Sequence, residues 1–85
     1  MTTHSEIFEQ LRDIIAEETG NDPASITPDS DLIEDLSLEL EVNLTPIIKR
    51  INKEFGIMLN PKEILADAEI VNDILSRVID EVELG

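Results

Sequence analysis

Apolar residues recur at helical spacing along almost the whole chain, and no alternating run lasts long enough to make a strand. Ile7, Phe8, Leu11, Ile14 and Ile15 fall on one helical face, with Glu9, Arg12, Asp13 and Glu17 on the other. Thr3 and Glu6, three residues apart, read as a capping box, and Gly20 supplies a C-terminal stop. The pattern predicts a first helix from about residue 4 to 19. A second apolar set, Val42, Leu44, Ile47, Ile48, Ile51 and Phe55, closes at Gly56. Pro46 interrupts it, because an interior proline has no N–H to donate and clashes with the preceding turn. The helix should therefore start at an Asn43 or Thr45 cap, or else kink where it passes Pro46. Asn60-Pro61 opens a short third helix through Ala66, as cap and first-turn proline. Asp67 can cap a fourth helix with Ile70, Ile74, Leu75, Val78 and Val82 on its apolar face. The alternation at Ile57-Met58-Leu59 goes no further. These readings give an all-α bundle of four helices, with residues 1–85 as a single domain.

Between the first two helices lies a long loop, residues 21–36, with two prolines and several turn formers. Ile26, Leu32, Ile33 and Leu36 punctuate it and should pin it to the core; a loop of this length in a small domain is usually functional or packed on its own side chains. Met1 is a terminus, while Met58, Phe8 and Phe55 are expected in the core.

Composition excludes several functions. Twenty acidic residues against six basic ones give a net charge of −14, which repels nucleic acid and anionic membranes and attracts basic protein surfaces. With two phenylalanines and neither Trp nor Tyr, there is no aromatic platform for bases or sugars. The absence of cysteine excludes disulfides, thiolate nucleophiles and cysteine-ligated zinc. His4 is the lone histidine and no glycine-rich phosphate loop is present, so no nucleophile–base pair or nucleotide motif can be assembled, and the chain is not expected to be an enzyme. Asp29-Ser30-Asp31 opens like a calcium loop but lacks the glycine and the closing glutamate of one, so no metal site is assigned. With no leader-like N-terminus and no membrane-spanning run, a cytoplasmic protein is the default expectation.

The stretch LRDIIAEETGNDPASITPDSDLIEDL resembles, without a gap, the first helix and loop of the acyl carrier proteins. IIKRINKEFGIMLN resembles the end of their second helix, and Ile70 and Ile74 match their last. The resemblance implies an acyl-carrier-like four-helix bundle acting in fatty acid or polyketide-type metabolism, as a carrier or a docking partner. It also implies a monomer served by acyl-processing enzymes. A carrier-like domain without a prosthetic group, kept as a protein-binding or regulatory module, is the alternative.

In that family an Asp-Ser-Leu motif opens helix two, and its serine is esterified with 4′-phosphopantetheine. Here the corresponding stretch is Ser37-Leu38-Glu39-Leu40-Glu41-Val42-Asn43, without that motif. Counting back from Phe55 puts Glu41 at the serine position and Ile47, Ile48 and Ile51 on core positions. Placing Ser37 there instead keeps a Ser-Leu pair but buries Glu41 and Asn43, at about 1–3 kcal/mol or more for each unpaired group. Ser37 is the candidate attachment residue; Glu41 fits the position better. The family also docks through an acidic second helix, whereas here that helix carries Lys49, Arg50 and Lys53, half the bases of the chain.

Self-repulsion among twenty acids makes a direct prediction. The melting temperature should rise with salt, and rise further in millimolar calcium or magnesium. A melting temperature indifferent to both would remove the repulsion argument.

Overall fold

The computed structural model describes residues 3–84, and side chains within them except those at 40, 41 and 84. Met1 lies outside the described residues.

Helix α1, His4–Thr19, takes the predicted bounds. The Thr3 hydroxyl accepts from the Glu6 N–H at 3.2 Å. Gly20, at φ 75°, closes the other end by donating to the Ala16 carbonyl. The buried face is Ile7, Leu11, Ile14, Ile15 and Ala16. Phe8 and Phe55 are only partly buried, packed against the core from its edge.

Helix α2, Leu40–Phe55, starts earlier than Pro46 suggested, and the proline sits inside it. The N-cap is Glu39, not Asn43 or Thr45, which both lie inside the helix; Asn43 Oδ1 accepts the Glu39 N–H at 3.0 Å. The carbonyl that Pro46 leaves without its helical donor, four residues back, belongs to Val42, an exposed residue with access to water. Leu44, Ile47, Ile48 and Ile51 are buried as expected. Val42 is not: it is 63% exposed, on the side of α2 opposite those four residues.

Helix α3, Pro61–Asp67, is capped by the Asn60 side chain, which accepts from the Lys62 N–H at 2.9 Å. Helix α4 spans Val71–Leu84. Its cap is not Asp67, whose carboxylate instead pairs with Arg77 at 2.8 Å. Asp73 reaches back from the first turn and accepts the N–H groups of Glu69 and Ile70 at 2.8 and 3.1 Å. These bonds, that to Glu69 first, hold its carboxyl below the ordinary carboxylate pKa.

The loop between α1 and α2 contains a 3₁₀ turn, Pro23–Ser25, that the sequence reading missed. Ile26, Leu32, Leu36 and Leu38 are buried, whereas Ile33 is 57% exposed, contrary to expectation. Three backbone bonds tie the loop to the α3–α4 junction: Asn72 N–H to Pro28 O at 2.8 Å, Val71 N–H to Ser30 O at 3.0 Å and Leu32 N–H to Glu69 O at 3.0 Å. The loop carbonyls thus satisfy N–H groups at the start of α4 that no helical partner could reach. Met58, also expected in the core, is 89% exposed. It stands in the α2–α3 connection, which Asn52 closes through both backbone groups of Leu59, at 2.8 and 3.1 Å.

α1 packs on α2 and α4, and α2 on α3 and α4. The result is the small four-helix, acyl-carrier-like bundle expected, with an isolated bridge between Asp31 and Ile70 beside it. Among the described residues no helix is long and apolar enough to cross a membrane.

The Asp73 cap carries a sign. Its folded-state pKa is depressed, so its contribution is fully present above about pH 4 and fades as pH falls through the lower folded value. Asp73→Ala should cost about 1 kcal/mol at pH 7, and the penalty should shrink below about pH 4. Urea titrations of both proteins between pH 7 and 2.5 check this; a penalty independent of pH would contradict it.

Candidate functional site: the loop leading into the second helix

A single hydrogen-bonded turn, residues 31–36, precedes α2. Asp31 Oδ1 accepts from the N–H groups of Ile33 and Glu34 at 2.9 and 2.8 Å. Asp35 Oδ2 returns the bond to the Asp31 N–H at 2.7 Å. Asp31 and Asp35, two acids of the loop, are therefore occupied in holding backbone. Ser30, between the aspartates of the calcium-like stretch, is buried, its hydroxyl accepting the Thr27 N–H at 2.9 Å.

Ser37 ends this turn. Its N–H donates to the Ile33 carbonyl at 3.1 Å, and its φ is +57°, so it is the left-handed closing residue of a helix-like turn. Glycine is the usual occupant of such a position, since a side chain there is crowded by backbone. Leu38 then turns inward, its N–H bonded to the Leu32 carbonyl at 2.9 Å, and Glu39 begins α2. Asn21 holds the junction from the other side, its Nδ2 donating to the Leu36 carbonyl at 3.0 Å.

The two candidate residues thus lie in different places. Ser37 is exposed and outside α2, three residues before its first helical residue. Glu41 is the second residue of α2, and its side chain is outside the described ones. The start of α2 reads Glu39, Leu40, Glu41, Val42, Asn43. No hydroxyl occurs in this first turn; the flanking ones are Ser37, before the helix, and Thr45, in its second turn.

The three bases of α2 also separate. Arg50 turns to α1, where its guanidinium meets Glu17 at 2.7 Å and Glu18 at 3.1 Å. Those hydrogen bonds, Glu17 first, raise its pKa further. Lys49 and Lys53 remain exposed, and no described carboxylate stands within 4.0 Å of either. Sequence reading did not find the Arg50 clamp, because helical spacing alone cannot say which neighbour a side chain meets.

A four-helix bundle whose long first loop delivers the chain into α2 is the architecture of a carrier domain. A model of the family described as phosphopantetheine attachment site matches residues 9–78, and the chain belongs to that family. Among similar curated proteins, the meromycolate extension acyl carrier protein of Mycolicibacterium smegmatis is 29% identical over 76 residues, 89% of this chain and 75% of that protein. The acyl carrier protein AcpXL of Rhizobium etli is 42% identical over 52 residues, 61% of this chain and 55% of that protein. An acyl carrier protein of Thermosynechococcus vestitus is 28% identical over 78 residues, 92% of this chain and 94% of that protein. The chain thus spans little more than half of the Rhizobium protein's length. Proteins of this family are carriers rather than catalysts, and the group they carry when modified is 4′-phosphopantetheine.

The residues at the start of α2 do not fit that group. A phosphodiester to the arm needs an alcohol oxygen, and the first turn of α2 has none.

Replacing Ser37 by glycine should relieve its left-handed backbone. Ser37→Gly is expected to stabilise the fold by about 0.5–1 kcal/mol, after the extra chain entropy of glycine is deducted. Ser37→Ala should stay within about 0.5 kcal/mol of the parent. Chemical denaturation measures both; a destabilised glycine variant would show that the hydroxyl has a structural partner.

Proposed function

We propose that this chain serves acyl metabolism as a docking member of the acyl carrier family, meeting a dedicated protein partner without an arm attached at the start of α2. The carrying observation is the combination of an intact carrier frame with a first turn of α2 that holds no hydroxyl. Counting back from Phe55, with Ile47, Ile48 and Ile51 on the buried face, supports Glu41 as the counterpart of the attachment serine. The names of the relatives, among them a meromycolate extension acyl carrier protein, support a setting in acyl-chain metabolism. The pathway partner is a protein, neither nucleic acid nor membrane, and the chain works as a cytoplasmic monomer.

A second reading keeps the arm and moves it to Ser37. One observation favours it: this serine holds an exposed hydroxyl and a positive φ that glycine would adopt without strain, and strained backbone clusters at functional positions.

Intact mass separates the two. After co-expression with a broad-specificity phosphopantetheinyl transferase the mass should be unchanged. The double variant Leu40→Asp/Glu41→Ser, which restores an acid and a hydroxyl to the first turn, should gain the mass of the arm. A gain in the parent protein that Ser37→Ala removes would establish the second reading and end the first.

A further inference from the structure

The outer face of α2 has a composition unlike the rest of the molecule. At about 100° per residue, Val42, Pro46, Lys49 and Lys53 fall within about 60° of one another, directly opposite the buried stripe. All four are exposed, Val42 by 63% of its surface. The stripe is about 16 Å long, three turns of helix. It carries an apolar residue and a proline at one end and two ammonium groups at the other.

The distribution of bases isolates this stripe further. All three arginines are committed internally: Arg12 to Asp13, Arg50 to Glu17 and Glu18, Arg77 to Asp67. Two of the three lysines share the outer face of α2, with no described carboxylate in reach. Lys62, on α3, likewise has no described carboxylate within 4.0 Å, but it stands alone, whereas Lys49 and Lys53 lie side by side on one face of a chain with twenty acids. Lys53 has a local role, since a cation in the last turn of a helix meets the negative end of its dipole. Lys49, in mid-helix, has none.

We propose that this stripe docks a protein surface that is acidic at the contact and offers an apolar seat to Val42. The proposal rests on the docking reading above and names the partner's chemistry. Charge complementarity sets the local sign of the contact. The whole-molecule charge of −14 narrows the partner further. A second copy of this chain, a nucleic acid or an anionic bilayer would be repelled at long range before two lysines could act. The fitting partner is a neutral or basic protein with a local acidic patch, so that long-range and short-range fields both favour the encounter.

Zero-length carbodiimide cross-linking in extract of its own cells, read by peptide mass spectrometry, tests this, because the reagent joins only amines and carboxylates already in contact. Links from Lys49 or Lys53 to Asp or Glu residues of one partner are expected. With that partner purified, Lys49→Glu/Lys53→Glu should slow association at least tenfold at low salt, the loss shrinking as salt rises. Lys62→Glu, on α3, should leave the rate unchanged. Lys49→Glu alone should retain most of the effect with the melting temperature of the parent, which excludes an unfolded variant as the cause. Links running only from this chain's loop acids to lysines of a partner would overturn the proposal while leaving the docking reading intact. So would a link between two copies of the chain, an unaltered association rate, or lysine-dependent binding to phosphatidylglycerol vesicles. If no linked partner is found at all, the docking reading fails together with this one.

Discussion

The backbone seam between the long loop and the α3–α4 junction is the constraint on which the rest depends. Residues 20–39 carry no regular helix beyond a 3₁₀ turn, and ordering each backbone residue costs about 1–2 kcal/mol. Four buried aliphatic side chains, Ile26, Leu32, Leu36 and Leu38, offset that cost, but burial alone does not fix a register. The bonds from Pro28, Ser30 and Leu32 to residues 69–72 do. They serve two ends at once, since the loop carbonyls complete the start of α4 while α4 holds the loop. The turn at Asp31 then follows directly, and with it the point where α2 begins. A net charge of −14 opposes the compact state through self-repulsion, and exposed ion pairs contribute little against it, so such doubly used contacts matter more than any single ion pair on the surface.

What was legible in the sequence was mostly local. α1 was readable to the residue because periodicity, an N-cap threonine and a C-terminal glycine agree. α3 was readable because asparagine followed by proline fixes a start chemically. Three of the errors share a cause. Ile33, Val42 and Met58 are apolar by type, yet each sits on a face that no other element covers, and only tertiary neighbours decide that. The start of α2 was placed too late at Pro46 for a different reason. The proline's penalty depends on where the carbonyl it deprives of a donor points, and here that carbonyl belongs to an exposed residue. The capping of α4 was misplaced because Asp67 and Asp73 are both plausible from composition, and the choice rests on a pairing of Asp67 with Arg77 that spacing does not reveal.

The candidate site was half legible. The missing Asp-Ser-Leu and the rival claims of Ser37 and Glu41 are plain from residue order, and so is the basic cast of α2. Not legible was that Ser37 closes a turn in a left-handed conformation, because nothing in the sequence marks a serine as standing in a glycine's place. Nor could the sequence divide the three bases. A guanidinium offers a rigid fork that bridges two carboxylates, whereas an ammonium is a hydrated point charge with little to gain from fixed geometry. Arg50 accordingly joins two glutamates of α1, and the lysines on either side stay in water.

Frame and attachment chemistry are separable in a molecule built this way. The buried residues of α2, Leu44, Ile47, Ile48 and Ile51, lie on the side of the helix opposite Val42, Pro46, Lys49 and Lys53, so the outer face is free to vary without disturbing the core. What the frame preserves is the presentation of one helix, held in register by the loop seam behind it and the Arg50 clamp beside it. A helix presented so consistently, with its outer charge opposite to that of the whole molecule, has the physical requirements of a recognition surface. On the proposed docking reading, specificity would follow from that opposition: a surface that attracts the lysines must also tolerate the field of the remaining acids, and few surfaces satisfy both.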